Sequence, residues 1–70
     1  MAKVNVFHDP VGNTLVVWFG DSREEVEVEE TGDEVLLMKN KEGKVIGFEK
    51  LNFLSQSEKS VRIAFETFAA

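Results

Sequence analysis

Residues 34–50 carry the pattern that most restricts what this chain can fold into. The run Glu34-Val35-Leu36-Leu37-Met38-Lys39 leads into Asn40-Lys41-Glu42-Gly43, then returns through Lys44-Val45-Ile46-Gly47-Phe48-Glu49-Lys50. Successive residues of an extended chain point to opposite faces, so apolar residues at both parities require cover on both sides. This hairpin therefore belongs at the centre of a sheet. Gly47, inside the returning strand, predicts a bulge or the close approach of a large neighbour such as Trp18 or a Phe.

The rest of the chain supplies neighbours for it. Val4-Asn5-Val6-Phe7-His8 alternates, Asp9-Pro10-Val11-Gly12-Asn13 is turn chemistry, and Thr14-Leu15-Val16-Val17-Trp18-Phe19 is rich in β-branched and aromatic residues. These two runs predict a first hairpin. After Gly20-Asp21-Ser22, the stretch Glu25-Val26-Glu27-Val28-Glu29 alternates strictly, with valines expected inward and glutamates outward. Thr31-Gly32-Asp33 then turns the chain into the central hairpin. In Ser60 to Phe68, Val61, Ile63 and Phe65 alternate with Arg62, Ala64 and Glu66. The β-branched content favours a further strand there, while a helix burying Val61, Ala64, Phe65 and Phe68 is the alternative.

The expected fold is a single mainly β domain over residues 1–70. Five to six strands form a small antiparallel meander, curled into a sandwich or open barrel. Seventy residues bury only about 60% of the surface an unfolded chain exposes, so such a domain needs help. With no cysteine, disulfides, thiolate metal sites and thiol nucleophiles are excluded together. Self-association, as a homodimer, is the remaining way to bury more apolar surface. A 43% hydrophobic content with seven aromatics argues against disorder.

The charge balance narrows the partners. Thirteen acidic and eight basic side chains give a net charge of −5. Phosphate neutralisation needs clustered Lys and Arg, and the lysines at 39, 41, 44 and 50 are interleaved with Glu42 and Glu49, so no nucleic-acid partner is expected. No apolar run approaches the roughly 20 residues of a membrane span, and the start lacks the apolar core of a signal peptide. The expected location is the cytoplasm.

No catalytic, cofactor-binding or metal-ligating residue is assigned. His8, the one histidine, precedes Asp9, but adjacent strand residues diverge and the carboxylate would not orient the ring. The serines lie in polar connectors, and no phosphate-binding glycine motif is present. The candidate contact residues are Trp18, Glu25, Glu27 and Glu29. Eight of the 13 acids fall between Asp21 and Glu34, with Arg23 the one opposing charge. Parallel glutamates on a strand diverge with its twist and do not converge on a cation. They protect a sheet edge from aggregation or meet a basic protein. Trp18 shares a face with Val16, opposite Leu15, Val17 and Phe19, and belongs to the core or to an interface.

The order His8-Asp9-Pro10, Gly12-Asn13-Thr14-Leu15 and Val17-Trp18-Phe19, then the segment Glu29 to Glu34 and the hairpin Lys41 to Leu51, resembles a small prokaryotic family. That family is catalogued as domain of unknown function twenty-two eighty-three. The resemblance runs to about Phe53 and is most specific over Gly43 to Leu51. His8 departs from it, since the family commonly carries an aromatic such as tyrosine there. The resemblance implies no activity and no catalytic residues. It implies an antitoxin-like partner role, because some relatives stand beside small toxin-like proteins. The expected function is thus a non-catalytic protein-interaction module. The alternatives are a small metal-dependent hydrolase using His8 with carboxylates, or a structural accessory domain.

Overall fold

The structure, a computed structural model, describes residues 3–58 and 60–68. Strands β1 (Asn5–Asp9), β2 (Thr14–Trp18), β3 (Glu27–Glu30), β4 (Val35–Lys39) and β5 (Val45–Lys50) form one antiparallel sheet in the order β1-β2-β5-β4-β3. A 3-10 turn, Ser22–Glu24, precedes β3, with the Asp21 side chain accepting from the Arg23 amide at its start.

The hairpin picked out from residues 34–50 is β4–β5, and β5 is the middle strand. Phe48 is flanked by Val17 on β2 and Leu37 on β4. Ile46 on β5 and Met38 on β4 are each only 5% exposed. The expected irregularity at Gly47 is present. Met38 pairs with Gly47 but Lys39 pairs with Val45, so Ile46 is an extra residue on β5. Its carbonyl accepts from both the Phe19 amide, at 3.0 Å, and the Gly20 amide, at 2.9 Å, and so fastens the end of β2. Trp18 lies opposite Gly47.

Three expectations need correction. The strands are not a plain meander: β3, β4 and β5 are, but β2 neighbours β5 and not β3. The two-faced apolar pattern of β5 claims the centre, and the glutamate-rich β3 is left at the rim, where charge stays hydrated. Second, the mainly β antiparallel fold is as expected, but its strands lie in one sheet, so no sandwich forms, and that sheet is not closed into a barrel. They make one open layer with β1 and β3 as its edges. Third, residues 60–68 form neither the sixth strand nor a helix. Alternation sets which side chains would share a face, but a strand exists only by pairing, and this segment pairs with no edge of the sheet.

Cross-strand register defines the two faces. Asn5, Trp18, Gly47, Met38 and Val28 line up across one of them, with Phe7, Val16, Glu49, Leu36 and Glu30 as the next row. This is the tryptophan face. The other, the histidine face, carries Val6, Val17, Phe48, Leu37 and Glu29, then His8, Leu15, Lys50 and Val35. The valines around β3 do not point into a core, for Val26 is 66% and Val28 49% exposed. An edge strand over which no second layer lies has no inside.

After β5 the chain doubles back along the first hairpin. Asn13, at φ 56°, grips this strap from the β1–β2 turn. Its Nδ2 donates to the Leu54 carbonyl at 2.9 Å, its Oδ1 accepts from the Leu54 amide at 2.9 Å, and its own carbonyl accepts from the Phe53 amide at 3.0 Å. Phe53 meets the His8 ring edge-on, with centroids 5.9 Å apart. No helix of the described residues is long and apolar enough to cross a membrane.

Candidate interaction surface

The four sequence-predicted contact residues do not form one site. Glu27 and Glu29 stand on the histidine face of β3, Glu25 precedes the strand, and all three are exposed. Trp18 lies on the opposite face and on β2, beyond β5 and β4 from the acidic edge. The sheet therefore presents two separate surfaces.

The first is the acidic edge. All four residues of β3 are exposed, and among the described residues no strand lies beside its outer backbone groups. Glu29 forms an ion pair with Lys39 on β4, and the Lys39 ammonium is held above its ordinary range by that hydrogen bond. Among the described residues no other acid of β3 is in an ion pair.

The second surface is an open cavity of about 730 Å³ on the tryptophan face. Phe7, Trp18 and Phe19 supply its aromatic lining, and Lys3 and the segment Asp21–Arg23 its polar rim. Asp21 and Arg23 form a two-pronged pair, Nε to Oδ1 at 3.1 Å and Nη2 to Oδ2 at 2.8 Å. The guanidinium holds the Asp21 carboxyl below its usual value, and Asp21 raises Arg23 in turn. Sequence reasoning singled out Trp18 and missed Phe7, Phe19 and Lys3. The signal was present in part: Phe7 shares the parity of Asn5 and so faces the same way as Trp18 across the first hairpin.

His8 has a structural setting. Its Nε2 is buried with no hydrogen-bond partner, and the ring packs against Phe53. Asp9 is turned away from it: Oδ1 accepts from the Val11 amide at 3.0 Å and the Gly12 amide at 3.1 Å, closing the β1–β2 turn. Among the described residues no three His, Asp or Glu side chains converge where they could hold a metal ion.

The model of a family described as "Protein of unknown function (DUF2283)" matches residues 5–53, from the first strand to the strap. No curated protein and no solved structure matches the chain. The chain belongs to the DUF2283 family, in line with the resemblance carried by its central hairpin.

Proposed function

We propose that this member of the DUF2283 family is a non-catalytic protein-interaction module of the cytoplasm whose acidic edge binds a basic protein. The observation that carries this reading is the position of β3. It is an edge strand whose four residues are all exposed, with Glu27 and Glu29 along it and Glu25 just before it. An edge offers unpaired N–H and C=O groups to an incoming strand, and its charge decides which strands are admitted. Acidic chains are repelled and a basic segment is favoured, with long-range attraction raising the rate of encounter. An antitoxin-like role fits this chemistry, since a small acidic domain would mask a basic partner surface. Support for that role comes from the family resemblance.

The test is capture from native extract at low and at moderate salt, with wild type and a Glu25→Lys, Glu27→Lys, Glu29→Lys variant. A basic protein should be retained at low salt, weakened by moderate salt and lost by the variant. Recovery of nothing but the chain's own copies under both conditions contradicts the reading.

A further inference from the structure

The two faces of the sheet are not equally served by the chain. The strap delivers Phe53 to the histidine face, where Asn13 clamps it. The tryptophan face carries Phe7, Val16, Trp18, Leu36, Met38 and Val28, and its margins are open: Phe7 is 59% and Val28 49% exposed. Stable domains stack at least two layers of secondary structure, and the described residues of this one form a single sheet, the chain spanning 39 × 33 × 20 Å.

The deficit can be sized. The radius of gyration is 13.5 Å, against about 11 Å for a self-contained chain of this length. The accessible surface is 5830 Å², whereas a compact monomer of 7.9 kDa exposes about 4,400 Å². Part of the surplus belongs to residues 60–68, where Phe65 and Phe68 are 74% and 85% exposed. The surplus, about 1,400 Å² with the share of residues 60–68 included, is of the order of the roughly 800 Å² that each partner gives to a standard interface.

We propose that a second copy of this chain covers the tryptophan face, sheet packed on sheet about a two-fold axis, burying the exposed Phe7 and Val28 and the part-exposed edge of Trp18. The charges on that face favour a copy of itself. Lys3 stands at the cavity end, while Asp9, Glu49 and Glu30 lie toward the opposite end of the strands. Among the described residues Glu49 has no ion pair. A two-fold axis across the strands sets the basic end of each copy over the acidic end of the other, whereas an axis along the strands stacks acid on acid. Such an isologous contact is self-complementary and closes at two copies. It uses the Val28 and Glu30 side of β3 and leaves Glu27 and Glu29, on the histidine face, for a different partner.

Sedimentation of the full chain at about 50 µM, a range in which micromolar dimers are populated, tests this. Wild type should run as a dimer. Phe7→Asp, and independently Val28→Lys, should run as monomers while keeping the wild-type far-UV spectrum, since both side chains are half exposed within one chain. Lys3→Glu should weaken the dimer at least tenfold. A monomeric wild type overturns the proposal whether or not the acidic edge captures a basic protein. A dimer indifferent to both Phe7→Asp and Val28→Lys overturns the assigned face. Loss of capture by the glutamate-to-lysine variant with the dimer intact supports both surfaces as separate.

Discussion

Trp18 lies directly over Gly47, so closely that a Cβ at position 47 would stand 2.7 Å from the indole Cε3 and 2.7 Å from the Val17 carbonyl oxygen. The same crowding recurs one step away, where a Cβ on Gly20 would meet the Ile46 Cβ at 2.7 Å. The end of β2 and the bulge of β5 are thus fitted backbone to side chain. The tryptophan face depends on that fit.

Gly47→Ala should therefore destabilise the fold by about 1–3 kcal/mol, the range typical of overpacking. Trp18→Leu in the same chain should restore only part of this, because the Val17 carbonyl remains in the way. Denaturant midpoints of the two single variants and the double variant measure it. A Gly47→Ala midpoint equal to wild type would show that the strands are not packed this closely.

Asn13 ties residues 41 positions apart by gripping both polar atoms of Leu54. Asn13→Asp keeps the acceptor and loses the donor, and should cost about 1 kcal/mol, the net worth of one hydrogen bond. The Leu54 amide should then exchange with solvent several-fold faster, while the Phe48 amide in the sheet is unchanged. Equal acceleration at both would mean that the strap and the sheet open as one unit.

Central placement of the 34–50 hairpin was legible in the sequence, because Val45, Ile46 and Phe48 put apolar groups on both sides of one strand and Gly47 left room for Trp18. The neighbours of β2 were not. A run such as Glu25 to Glu29 alternates like any half-buried strand, and alternation does not say whether its apolar side meets a second layer. The Asn13–Leu54 clamp was hidden for a different reason: a turn asparagine has a sufficient local explanation, so nothing points to a distant carbonyl. Residues 60–68 carry strand-forming side chains and still do not pair, since propensity favours extension without supplying an edge. Of the candidate surface, Trp18 and the glutamates were visible as residue types. Their separation onto opposite faces needed the register.

Glu34 adopts a left-handed backbone, φ 61°, while its carbonyl accepts from the Leu51 amide at 2.7 Å and its carboxylate from Asn52 Nδ2 at 3.0 Å. Both Glu34→Ala and Glu34→Gly lose the side-chain contact, but only Ala keeps the steric penalty of that conformation. Glu34→Gly should therefore be the more stable of the two by about 1 kcal/mol, read from their thermal midpoints. The reverse order would contradict a left-handed residue at this turn.

Glu58 is held below the usual glutamate range by the Ser55 hydroxyl and, next, the Ser55 amide. A depressed carboxyl contributes order above its unfolded value and loses it as pH falls through the folded one. Carboxyl-detected NMR titration should place Glu58 below a free glutamate, and Ser55→Ala should move it part of the way back. Lys39 has the opposite sign. Its bond to Glu29 raises it, so that contribution persists through neutral pH and fades only as alkali passes the raised value. A Glu58 titration unmoved by Ser55→Ala would remove the turn at 55–58.

Both proposed surfaces depend on β5 lying between β2 and β4, which leaves β3 at the rim and Trp18 above Gly47. The direct measurement is the set of interstrand NOEs in solution. Contacts of Phe48 with both Val17 and Leu37, and of Gly47 with Trp18, are predicted, with β3 touching β4 alone. Contacts joining β2 to β3, with none joining Val17 to Phe48, would contradict the account.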